Sequence, residues 1–104
     1  MFEYFFTAAA EKDLEEAFLW YEDQLAGLGE ELLEDVEIAC QTISKHPNRY
    51  PKVVNENRRI LLKAIGSKFS SYSLVYKVQK VRNRIIILAV VHASQSPTKW
   101  ENRE

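Results

Sequence analysis

At 104 residues, with 46% hydrophobic and 28% charged content, the chain is long enough for one core and too short for two, so a single domain over 1–104 is expected. The longest apolar run, Ile85 to Val91, is strand-sized and well short of the roughly 18 residues of a membrane helix. The net charge of −1 hides a polarised chain: residues 1–40 hold twelve acids and one base, Lys12, and residues 41–104 hold three acids and thirteen bases.

That split, −11 against +10, predicts an acidic layer and a basic layer, and a basic face suited to an anion such as nucleic acid or an acidic protein partner. The N-terminus shows no basic region followed by a cleavage site, and the lone Cys40 can close no internal disulfide. A reducing cytoplasm is therefore the expected compartment, with no membrane association, no metal site and no cofactor.

In chain order, Phe2 to Phe6 is short and aromatic and reads as a strand. Thr7 is placed to cap a helix from Ala8, whose apolar positions Ala10, Leu14, Ala17, Phe18, Tyr21 and Leu25 follow the helical period. Glu11, Glu15, Glu22 and Asp23 fill its other face. The Gly27-Leu28-Gly29 stretch stops it, and a second helix from Glu30 to about Lys45 presents Leu32, Leu33, Val36, Ala39, Cys40 and Ile43. So short a loop folds the two helices into an antiparallel hairpin. Cys40, on the apolar stripe, reads as a buried small hydrophobe.

His46 to Pro51 breaks the helix; His46 reads as a loop residue and Tyr50 as an anchor for that loop. Three strands are predicted next: Arg58 to Ala64, Tyr72 to Val78, and Arg84 to His92. In the second, Tyr72, Leu74, Tyr76 and Val78 share one face. The third is almost wholly apolar and reads as a central strand. Lys80 to Arg84 makes the hairpin turn between them, and 65–71 a longer connection. The resulting β-αα-βββ order is an α+β domain, with a helical hairpin on one face of a mostly antiparallel sheet and the bases on the sheet and its connections around the far face. Trp20 and Tyr21 are expected to pack on the sheet, so that Trp20→Ala would cost about 3–5 kcal/mol. Trp100 is expected to staple the tail to the domain or to meet a partner. Strict alternation leaves Lys63 between Leu61 and Ile65, which requires an edge strand or a bulge.

The segments "AEKDLEEAFLWYEDQLAGLGEELLEDV", "HPNRYPKV", "RRILLK", "YSLVYKV" and "IIILAVVHASQSPTKW" together resemble the RelE/ParE toxins of bacterial type II toxin–antitoxin modules, and most closely the ParE, or plasmid-stabilisation, branch. The resemblance runs from about Ala10 to Trp100. It implies a growth-inhibiting toxin whose cognate antitoxin wraps its grooves and basic surface in a hetero-oligomer. ParE-like members are thought to poison DNA gyrase by binding, whereas RelE-like members cleave mRNA on the ribosome. In the latter an arginine commonly precedes the "LVY" of the third strand; here that residue is Ser73. The arginines that usually follow the histidine are replaced by Ser94 and Gln95. His92 is the candidate proton-transfer group for a ribonuclease. Arg58, Arg59, Lys63, Lys77, Arg84, His92 and Trp100 are the candidate partner- or nucleic-acid-binding residues. The resemblance favours the gyrase inhibitor, with the endoribonuclease and a non-toxic antitoxin-binding relative as alternatives.

Overall fold

A computed structural model describes residues 1–52, 58–62, 69, 71–95, 100 and 103, with 58–62 described through the backbone. The elements are β1 (Glu3–Phe6), α1 (Ala8–Gln24), α2 (Leu28–Lys45), β2 (Arg58–Leu62), β3 (Tyr72–Gln79) and β4 (Arg84–His92). They form one four-stranded sheet in the order β1-β4-β3-β2. β4 pairs in parallel with β1 and antiparallel with β3, and β2 lies antiparallel to β3 at the opposite edge. The β-αα-βββ reading holds. β2 takes the edge position, one of the two explanations open for Lys63; Lys63 itself lies outside the described residues.

Local chemistry sets the boundaries. Thr7 is extended and its hydroxyl accepts from the Ala10 N–H at 3.1 Å, satisfying one of the free donors of the first turn of α1. The interhelical turn differs from expectation. α2 starts at Leu28, and Gly27, with φ 91°, is its N-cap. In place of a cap side chain there, Glu22 Oε1 from the last turn of α1 accepts from the Gly27 and Gly29 N–H groups, both at 2.9 Å. Gly29 lies inside the helix, where a Cβ would stand 2.7 Å from the Phe18 carbonyl oxygen. The hairpin turn places Asn83 at φ 55°, a conformation asparagine tolerates better than most residues.

Two apolar layers flank the sheet. On the helix side, Leu74, Tyr76, Ile85, Ile87 and Val90 bury against Ala10, Ala17, Leu32, Val36, Cys40 and Ile43. On the far side, Val75, Leu88 and Ala89 pack with Trp100. A bulge makes this possible. Tyr76 pairs with Ile87 and Val75 with Ala89, so Leu88 is an extra residue and two consecutive side chains serve the far face. β4 is covered on both sides, as its unbroken apolar sequence predicts.

Three expectations are corrected. Trp20 is 58% exposed, and Tyr21 instead carries the packing role, its ring 4.9 Å from that of Phe69. Leu25 is exposed at the end of α1. The far face is not a basic field at its centre, which is apolar and overlaid by Trp100.

Candidate functional site

β1 is short, and its pairing with β4 ends at Phe6 opposite Ile87, with the Thr7 N–H continuing to the Ile87 carbonyl at 3.0 Å. Beyond that point side chains take the place of a neighbouring strand. The Val90 N–H donates to Asp13 Oδ2 at 3.1 Å, and the His92 N–H to Gln95 Oε1 at 2.8 Å. Arg103 spans the gap: Nη1 donates to Asp13 Oδ2 at 2.6 Å and to the Leu88 carbonyl at 3.1 Å, and Nη2 to Asp13 Oδ1 at 3.3 Å. A carboxylate, an amide and a guanidinium thus satisfy the backbone that β1 is too short to reach. Asp13 and Arg103 were not singled out from the sequence, and Gln95 was noted only as standing where the family usually has an arginine. The signal available was the position of Asp13, on the buried stripe of α1 between Ala10 and Ala17.

The candidate residues fall into separate places. His92 pairs with Tyr72 at the open end of the β3–β4 hairpin and turns toward the helices, its ring 5.0 Å from the Tyr72 ring and nearly perpendicular to it. The Ser94 N–H donates to His92 Nδ1 at 3.1 Å, and the Ser94 hydroxyl lies 2.8 Å from the same nitrogen. In the neutral ring that contact leaves the proton on Nε2. Tyr72 keeps its phenolic proton: burial, then the neighbouring Tyr21, raises its pKa above the ordinary tyrosine value.

Lys77 and Arg84 lie toward the turn end. Lys77 pairs with Ile86 and points to the far face, opposite to the side that His92 takes. Arg84 Nε donates to Gln79 Oε1 at 2.7 Å, and its guanidinium carbon stands 5.7 Å from the centre of the Phe5 ring. Along the backbone Arg58 lies opposite Lys77 and Arg59 opposite Tyr76. Arg84 and His92 occupy the two ends of the nine-residue β4, about 26 Å apart at the usual strand rise. Lys77 stands five positions along β3 from Tyr72, roughly 17 Å by the same rise. The structure therefore groups Lys77, Arg84 and the backbone of Arg58 and Arg59 near one end, with exposed Lys80 and Arg82 on the adjoining turn, and sets His92 apart from them. Trp100, 8% exposed, packs within the chain against Val75, Leu88 and Ala89.

A second surface feature is a groove of about 670 Å³ beside β1, lined by Tyr4, Phe5, Phe6, Leu14, Phe18 and Leu33, with Glu11 and Glu15 at its rim. Among the described residues no group of three or more His, Cys, Asp or Glu side chains is arranged to hold a metal ion, and no helix is long and apolar enough to cross a membrane. Cys40 is buried in the core; burial, and then the charge of Glu37, pushes its thiol up to about 12.

The fold, one strand followed by a helical pair and then the meander that completes the sheet, agrees with a comparison against protein families. The profile described as ParE toxin of type II toxin-antitoxin system, parDE, matches residues 4–97. The chain belongs to the ParE toxin family. ParE toxins of type II systems pair with a cognate ParD antitoxin. The match runs from Tyr4, within β1, through β4 and leaves out Trp100 and Arg103, so the tail that fastens the far face lies beyond it. A search of curated proteins found no match.

Proposed function

We propose that this ParE-family toxin arrests growth by binding DNA gyrase and trapping the enzyme on cleaved DNA, and that the ParD antitoxin prevents this by occupying the toxin in a hetero-oligomer. The observation that carries the reading is the separation of His92 from Lys77 and Arg84, the described base nearer to it, Arg103, being held by Asp13. Phosphodiester cleavage by a histidine needs cationic groups within hydrogen-bond reach of the same phosphate. Among the described side chains, Lys77 and Arg84 stand roughly 17 Å or more along the strands from the His92 position, with Lys77 on the opposite face. Ser73 brings no charge to the third strand. Inhibition by binding requires no such convergence. The basic turn end, with Lys77, Lys80, Arg82 and Arg84, supplies a surface for an acidic partner.

The test is induced expression in a bacterial host lacking the antitoxin, with DNA-damage response and transcript integrity read together. Gyrase poisoning gives an SOS response with intact transcripts, both unchanged in His92→Ala and suppressed by co-expressed antitoxin. Cleavage within ribosome-bound codons that disappears in His92→Ala would instead make the chain an endoribonuclease. Growth unaffected at verified expression would make it a non-toxic antitoxin-binding relative.

A further inference from the structure

Trp20 is a large ring left in solvent on a small domain, and its surroundings form a site. Four rings run in an arc from α1 to the end of β4. Trp20 and Tyr21 stand 4.9 Å apart at 87°, Tyr21 and Tyr72 6.1 Å apart at 58°, and Tyr72 and His92 5.0 Å apart at 78°. All four, with Ser94, line a cleft of about 260 Å³. A second cleft of about 180 Å³ shares Trp20 and Tyr72 with it and adds Asp13, Glu16 and Gln95. The charge of Asp13 is already met by Arg103. Glu16 is exposed, and among the described residues it makes no ion pair.

Aromatic rings beside an exposed carboxylate, on a helix that is otherwise acidic, favour a cation over any anion. A nucleotide base is a poorer fit, because its phosphate would lie beside Glu16 and the acidic surface of α1. We propose that this cleft receives a cationic side chain, an arginine or a lysine, of the cognate ParD antitoxin. The guanidinium or ammonium would lie over the Trp20 face, within reach of the Glu16 carboxylate. The proposal rests on the parDE pairing of the family and names which surface of this chain reads a basic antitoxin residue. It also gives a role to the exposure of Trp20, which packing within the chain does not explain.

The experiment uses the full toxin and its cognate ParD antitoxin, with affinity measured by calorimetry. Trp20→Leu keeps an apolar side chain and removes the ring face, and Glu16→Gln removes the charge; both positions are exposed, and circular dichroism verifies that each variant is folded. Trp20→Leu is expected to weaken antitoxin binding about ten-fold and Glu16→Gln about three-fold. Replacing each antitoxin Arg and Lys by Met in turn should identify one residue whose loss is not additive with Trp20→Leu. Unchanged affinity in folded Trp20→Leu overturns the proposal. So does a loss that couples to no basic antitoxin residue, which would make the occupant apolar. Antitoxin binding that survives Trp20→Leu while RNA binding is lost assigns the cleft to a base and overturns it too. Failure of the wild-type toxin to bind the antitoxin at all removes the pairing itself, and the proposal with it.

Discussion

Arg103→Met tests whether the side chains that replace a strand beside β4 hold the fold together. The Asp13 side chain is 4% exposed and Arg103 is 22% exposed, and they meet through two hydrogen bonds of 2.6 and 3.3 Å. Methionine keeps much of the stem but deprives the buried carboxylate of this cation and the Leu88 carbonyl of its donor. Removing one partner of a buried pair costs about 3–5 kcal/mol; water entering beside the partly exposed Arg103 lowers this to about 2–4 kcal/mol. That is a large share of the roughly 5–15 kcal/mol that holds a domain together, and it corresponds to a fall of about 10–20 °C in Tm. The assay is urea unfolding of the isolated toxin, in which the midpoint should move with little change in slope. Asp13→Asn should cost less, because the amide oxygen can still accept from the Val90 N–H and the charge left behind, on Arg103, is the more exposed of the two and keeps the Leu88 carbonyl. Arg103→Met combined with Asp13→Asn leaves no charge buried there and should therefore be more stable than Arg103→Met alone. A loss below about 0.5 kcal/mol for Arg103→Met, or strict additivity of the two changes, would refute the argument.

The other predictions concern single positions. Because burial holds the Cys40 thiol near 12, against 9.0 for an ordinary thiol, it should resist a disulfide reagent at pH 8 except through unfolding, and immediate stoichiometric reaction would contradict this. The sign of the linked stability follows: the contribution is complete below pH 9 and is lost as pH rises toward 12, at up to about 1.4 kcal/mol per unit, so Cys40→Ala should flatten the alkaline slope of urea midpoints. Gly29→Ala should cost about 1–3 kcal/mol despite the better helix propensity of alanine, since its Cβ would meet the Phe18 carbonyl oxygen at 2.7 Å; an unchanged melting temperature would show that the helices separate easily. Trp20→Ala should cost under about 1 kcal/mol and Trp100→Ala about 3 kcal/mol or more, the reverse of which would invert their assigned roles. Ser73→Arg should not create transcript cleavage in a translation assay, because residue 73 faces away from the helices while His92 faces them.

Much of the architecture was legible because periodicity carries it. Alternation from Tyr72 to Val78 placed one face of β3 against the helices, and the apolar run before His92 made β4 central. Periodicity failed where every residue is apolar: nothing between Ile85 and Val91 marks Leu88 as the extra residue of a bulge, since no polar position breaks the pattern. It also failed for Trp20. Adjacent helical residues point about 100° apart, so Trp20 falls at the margin of the stripe that Leu14, Ala17 and Tyr21 follow, and the sequence does not say on which side of that margin it lies. Asp13 was marked by its place on a buried stripe, but its cation lies 90 residues away among thirteen bases. Only the fold selects Arg103.

The separation of charges constrains how one antitoxin can cover the molecule. The aromatic cleft at the His92 end carries Glu16, while the turn end carries Lys77, Lys80, Arg82 and Arg84. An antitoxin segment that meets both ends must be polarised in the opposite sense, basic where it reaches Trp20 and acidic where it reaches the turn. The span of about 26 Å needs about eight residues if the segment is extended and about seventeen if it is helical. Uniform acidity, which the net charge of the second part of the chain alone would suggest, suits only the turn end and is repelled along α1. Neutralising the toxin by charge thus requires pattern as well as amount, because the sheet that carries the bases and the helices that carry the acids are two sides of one thin domain.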